Sequence, residues 1–231
     1  MESLHSWLNT LLFGIYPYIA FATFLVGCLI RFDREQYSWK ASSSQILDKS
    51  SLRLGSNLFH IGVICIIMGH LVGLLTPTSI YTLFITVPQK QLLAMVAGGI
   101  FGLLCFAGLL ILITRRLKNP RLRATTRFSD WLVLWMLFIQ VSLGLSTLFV
   151  SIQHLDGGSM LNLSHWAQHV VTFQFDAANF IKDEHWIFKV HIWLGLSLFM
   201  VAPFSRLVHV LSAPIWYILR PYQVVRGRGA R

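Results

Sequence analysis

The chain has 231 residues, of which 55% are hydrophobic and only 12% charged, with a formal net charge of +10. Soluble domains average about 25% charged residues, so the shortfall points to a membrane protein. The basic excess does not mark a nucleic-acid partner, because the Lys and Arg residues lie between apolar runs of spanning length.

In chain order, the N-terminal "MESLHSW" lacks the basic stretch of a secretory signal, so the first run, Leu11 to Ile30, is expected to be a retained helix. A basic segment follows, with Arg31, Arg34, Lys40, Lys49 and Arg53. The second run, Leu54 to Leu75, carries His60 and His70 beside Gly62, Gly69 and Gly73. Lys90 precedes the third run, Leu92 to Thr114, which holds Gly98, Gly99, Gly102 and Gly108. Arg115, Arg116, Lys118, Arg121, Arg123 and Arg127 then lead to the fourth run, Trp131 to Val150, with Gln140 inside it. A polar stretch with His154, His165, His169 and His185 precedes the fifth run, Trp186 to Leu211. That run contains His191, Pro203, Arg206 and His209, and the tail adds Arg220, Arg226, Arg228 and Arg231.

Crossing a hydrocarbon core about 30 Å thick takes roughly 20 helical residues, which each run supplies. With no water at that depth, each backbone must satisfy itself, so the expected fold is all-α: five transmembrane helices in a single membrane domain over residues 1–231. The short alternating segments of a β-barrel are not seen. Three basic clusters fall on one side, against Lys90, Lys182 and Lys189 on the other, so the N-terminus is expected outside and the C-terminus in the cytoplasm. Cys28, Cys65 and Cys105 all lie in the spans without a CxxC or CxxCH pattern, which suits small residues at helix interfaces.

Imidazole in hydrocarbon needs a hydrogen-bond partner or a metal, so the four intramembrane histidines are the candidate site. Helices two and five run in opposite directions, which pairs His70 with His191 near the outside and His60 with His209 near the cytoplasm. Two bis-histidine sites stacked across the bilayer suit haem b, a planar ring that takes one axial imidazole from each side. The spacing conflicts with straight helices: ten residues on helix two span about 15 Å and eighteen on helix five about 27 Å. Tilt or a kink at Pro203 must absorb the difference, for an iron–iron separation of about 20 Å. The glycines would allow close helix approach or a flat ligand against the backbone. Arg206, Arg115 and Arg116 sit where cations could pair with haem propionates, and Gln140 reads as an interhelical hydrogen-bonding residue. His165 and His169 could share a helical face, but without a third ligand nearby in sequence they make a weak metal site.

The runs "SSQILDKSSLRLGSNLFHIG", "MGHLVGLLTP", "PRLRATTRFSDWL", "WAQHVVTF" and "VAPFSRLVHVLSAP" resemble the gamma subunit of respiratory nitrate reductase, a dihaem membrane cytochrome b. The likeness covers essentially the whole chain. It implies quinol oxidation near the outer face, with menaquinol or ubiquinol as substrate. Electrons would pass through a distal haem on His70 and His191 and a proximal haem on His60 and His209. Their acceptors would be an iron–sulfur beta subunit and a molybdenum-containing alpha subunit in the cytoplasm. Lys90 matches the family's quinol-site lysine, with Gly69 and His70 beside it. The resemblance implies no role for His165 or His169. It places the protein in a bacterial or archaeal cytoplasmic membrane. Related cytochromes serve sulfite- and heterodisulfide-reducing complexes. A haem-free transporter or anchor is the alternative of a different class.

Overall fold

The computed structural model describes residues 2–39, 44, 47, 49 and 51–212. Lys40 and the four tail arginines, which entered the charge comparison, lie outside the described residues. Among the described residues every regular element is helical, and five helices are long and apolar enough to cross a membrane.

The first span joins α1 (Glu2–Thr10), a π-turn over Leu11–Ile15 and α2 (Tyr16–Arg34). α3 (Leu52–Leu75) is the second span, and a short α4 (Thr78–Tyr81) connects it to the third, α5 (Val87–Lys118). α5 starts where it does because the Thr86 side chain accepts from the Gln89 amide and Gln89 returns the bond, with Pro88 in the first turn. A short α6 (Pro120–Thr125) leads to the fourth span, α7 (Phe128–Ser151). α8 (Gly158–Val171) lies between it and the last span, α9 (Trp186–Val201).

α3 and α5 pack most closely. A Cβ on Gly62 would lie 2.6 Å from the Cys105 amide nitrogen, and one on Gly108 would lie 2.4 Å from that of Phe59. Only glycine lets the two backbones meet there, as small residues do in membrane helix pairs. The other face of α3 shows Ile61, Ile64, Ile67, Met68, Leu71 and Val72 to the surroundings, the pattern of a lipid-facing side.

α8 was not among the expected spans. It buries Trp166, Ala167 and Val170 in a cluster with Phe13, Ala20, Ile181 and Leu196. The Trp166 indole donates to the Phe13 carbonyl at 2.9 Å, within the π-turn. The Gln168 amide donates to the carbonyls of Leu74 and Thr76, so α8 closes the end of α3.

The fifth span departs from expectation. The apolar run from Trp186 to Leu211 is not one helix: α9 ends at Val201 and a 3-10 turn covers Ala202–Phe204. Ser205 is extended, and a second 3-10 segment covers Arg206–Ser212. Pro203 has no amide hydrogen to continue the ladder. The Ser205 hydroxyl then accepts from the Leu207 amide at 3.2 Å and so opens the new segment. Hydropathy reports what lies in the membrane, not whether the backbone there is continuous.

Candidate haem and quinol site

The four intramembrane histidines come together in two pairs, and the break lies on the path to only one of them, the pair that holds His209. Towards the basic end, the His60 ring of α3 faces His209 on the segment after Ser205, with ring centres 6.4 Å apart and planes at 67°. Towards the other end, His70 of α3 faces His191 of α9, at 6.2 Å and 34°. A metal ion held in line between two imidazoles, with bonds of about 2 Å, sets the ring centres roughly 6 Å apart. Both pairs meet that spacing. The figure of about 27 Å assumed one continuous helix, whereas α9 ends at Val201 and the chain reaches His209 through two 3-10 segments and an extended Ser205.

Ring orientation follows the pattern of metal-binding histidine. The Nδ1 of His60 lies 2.7 Å from the Ser56 carbonyl and that of His70 lies 2.8 Å from the Ile66 carbonyl, each one turn back. The Nδ1 of His209 is bonded to the Arg206 carbonyl. With Nδ1–H donated to a carbonyl, Nε2 is the free lone pair, as for a ligand fixed by its outer shell. His191 is held differently. The Gln140 amide nitrogen of α7 donates to the His191 carbonyl at 3.1 Å and lies 3.4 Å from its Nε2. The His191 Nδ1 and the Gln140 Oε1 are both buried without a partner. A Cβ on Gly144 would come within 3.1 Å of the His191 Cε1, so the missing side chain makes room for the ring. Among the described residues no group of three or more His, Cys, Asp or Glu side chains could chelate a metal ion.

Lys90 sits in the first turn of α5, only 7% exposed, with Nζ 3.7 Å from the centre of the Tyr81 ring. Its ammonium has no hydrogen-bond acceptor, so it does not snorkel into water as an interfacial anchor would. A buried cation on an aromatic face, short of an acceptor, is a place for a polar oxygen of a ligand. Gly69 and His70 are exposed on α3, and a Cβ on Gly69 would meet nothing within 4 Å. Gly69 therefore does not serve helix packing as Gly62 does, and the space over it is free for a flat molecule.

Arg206, expected as a propionate partner, is engaged by protein: its guanidinium forms an ion pair with Asp130 of α7, with Nε 2.7 Å from the carboxylate. Arg116 lies in the field of the same pair, and Arg115 donates to the Ser44 hydroxyl at 3.0 Å. Charge density alone showed these arginines in the sequence, whereas the fold supplies the acid that orders Arg206.

The sequence matches the nitrate reductase gamma subunit family over residues 9–228. The chain belongs to this family. It is 49% identical to the respiratory nitrate reductase 1 gamma chain of Escherichia coli (strain K12), over 96% of this chain and 99% of that one. It is 37% identical to the nitrate reductase gamma chain of Bacillus subtilis (strain 168), over 94% and 98%. A more distant likeness, 24% over 89% of this chain and 59% of the relative, is to an Hdr-like menaquinol oxidoreductase cytochrome b-like subunit of Archaeoglobus profundus. This gamma-family chain is a multi-pass subunit of a respiratory nitrate reductase complex in a bacterial inner membrane.

Three of the remaining histidines of the gamma-family chain take structural positions. The His185 Nδ1 accepts from the Ile187 amide and caps α9. The His169 Nδ1 lies 2.9 Å from the Asp176 carboxylate, and this bond holds the Asp176 carboxyl below its usual pKa. The His165 and His169 rings both lie against Phe180. Asp130 and Gly144 were passed over in the sequence. For Asp130 a signal existed, since an acid opening an apolar run in "RFSDWL" needs a partner. For Gly144 there was none.

Proposed function

We propose that this chain is the membrane cytochrome b of its complex, with two b haems, one on His70 and His191 and one on His60 and His209. The single observation that carries the reading is the pair of facing imidazoles at each end of α3, at axial-ligand spacing. Three of the four rings are oriented through Nδ1 by a backbone carbonyl. When bound, the haems supply one-electron carriage between a quinol and the iron–sulfur beta and molybdenum-containing alpha subunits. The name of the archaeal relative, a menaquinol oxidoreductase cytochrome b-like subunit, supports the same chemistry.

The residues of the chain bind, orient and insulate. Lys90 offers its unpaired ammonium to a quinol oxygen, and the open face at Gly69 admits the flat ring beside His70. The basic segments at the His60 end orient the chain with its N-terminus outside, so quinol protons leave on the outer side while electrons move inward. Ligation uses the Nε2 lone pair of imidazole, which the Nδ1 bonds of His60, His70 and His209 to backbone carbonyls leave free.

A pyridine haemochrome assay on the purified chain tests the reading, with two protohaems per chain as the expected result. His60→Ala should remove one b-type component, and unchanged haem content would overturn the assignment. Lys90→Ala should raise the KM for quinol and leave haem content intact. Copurification with molybdenum and iron–sulfur partners, followed by assay of nitrate against sulfite, tests the terminal acceptor.

A further inference from the structure

We infer that Arg31 is a positioning residue for the His60/His209 pair, because its guanidinium holds the break in the fifth span that carries His209. The inference rests on the reading of that pair as haem ligands. Arg31, in the last turn of α2, donates from one terminal nitrogen to the Pro203 carbonyl at 2.6 Å and the Ser205 carbonyl at 2.7 Å. Its Nε donates to the Ser38 hydroxyl at 3.1 Å, and its other terminal nitrogen donates to the Ser38 carbonyl at 2.8 Å. The fork is thus fixed on one side and grips the break with the other.

The physical need is clear. A helix interrupted at membrane depth frees carbonyls that lipid cannot satisfy, and such backbone persists only where protein supplies donors. Pro203 removes a donor, and the extended Ser205 turns its carbonyl out of any ladder. Arg31 serves the carbonyls on both sides of Phe204 with charged hydrogen bonds, which are stronger than neutral ones. One turn earlier on the same face of α2, a Cβ on Gly27 would lie 2.8 Å from the Pro203 Cβ. α2 therefore fits the break twice, with space for the proline ring and a cation for the freed carbonyls.

The path from there to the ligand is short. Ser205 is followed by Arg206, whose carbonyl bonds the His209 Nδ1 and whose guanidinium is anchored on Asp130. A rotation at Ser205 swings this whole segment and takes the His209 ring away from His60. Lysine would not replace Arg31, because one ammonium cannot reach both the Ser38 contacts and the two break carbonyls. Arg34, exposed and three residues further on, carries the same charge for membrane orientation without touching the break.

The test uses the full chain in its complex, comparing Arg31→Gln, Arg31→Lys and Arg34→Gln by protohaem content, redox titration and low-temperature spectra. In both Arg31 variants, haem affinity at the inner pair should fall by roughly 10–100-fold. The fall should appear as loss or shift of the component that His209→Ala removes. The component that His191→Ala removes should not move, and Arg34→Gln should match wild type. Restoration of the inner component by lysine would overturn the proposal, as would equal loss of both components. If Arg31→Gln does not accumulate, Gly27→Val displaces the Pro203 ring from the same face of α2 and so pulls the break off the Arg31 guanidinium: selective inner loss supports the clamp, while loss of neither or both components overturns it. Two protohaems in wild type with an unmoved inner component in the variants would overturn the clamp alone. No protohaem in wild type would overturn the underlying haem reading and this proposal with it.

Discussion

The two histidine pairs have nearly the same ring spacing but are built in different ways. His70 and His191 stand on two uninterrupted helices, and the contacts around His191 are neutral, from the Gln140 amide and the space at Gly144. His60 shares α3 with His70, yet its partner stands on a separate segment held by charge, through Arg31 on the break and Asp130 on Arg206. Where a helix is continuous, its own hydrogen bonds place a side chain and neighbours need only make room. Where it is broken, the backbone has freed groups, and residues from other helices must take over the placing.

This contrast can be broken most severely at the element the pairs share. Gly108→Leu would drive α5 against the Phe59 backbone and displace α3, at a cost of about 1–3 kcal/mol or more. Both haem components should fall together in a protohaem assay, and loss of only one would show that α3 is not a common support. Next in size, His209→Ala and His60→Ala should remove one spectral component, and His191→Ala and His70→Ala the other. A crossed pattern in reduced-minus-oxidised spectra would refute the pairing. Smaller again, Gln140→Leu removes the donor to the His191 carbonyl and should weaken the outer haem by about tenfold. Asp130→Asn should act on the inner one alone, and redox titration of each variant reads the difference. The smallest effect needs no mutation. The imidazole planes meet at 67° in the His60/His209 pair and 34° in the His70/His191 pair, so a haem held by the first, as proposed, should give the more anisotropic low-spin EPR signal.

How much of this was legible beforehand depended on the range of the interactions involved. Five spans were visible because hydrocarbon imposes length and apolarity locally, although the helices run beyond the apolar runs, as α5 does from Val87 to Lys118. The facing of His70 with His191 and His60 with His209 followed from depth and direction along antiparallel helices. α8 was missed because its length and polarity are those of an ordinary connecting segment, and it is helical for the sake of the Phe13 and Leu74 carbonyls it covers. The expected run to Leu211 extends seven residues beyond Phe204, where the apolar helical span ends, since Pro203 alone announces a kink and not its size. Arg31 was read only as a charge for orientation; its bonds to residues 203 and 205 connect positions that no sequence period relates.

The sequence by itself determined the all-helical five-span architecture, which histidines of α3 and of the last span face one another, and the family, because each rests on composition, rise per residue or motif within a short stretch. Only the tertiary structure decided that the last span breaks at Ser205, that Arg206 is paired with Asp130, and that Lys90 is buried on Tyr81 without an acceptor. Each of these depends on which freed carbonyl, charge or ring another helix brings within about 3–4 Å, and contacts of that range are set by packing.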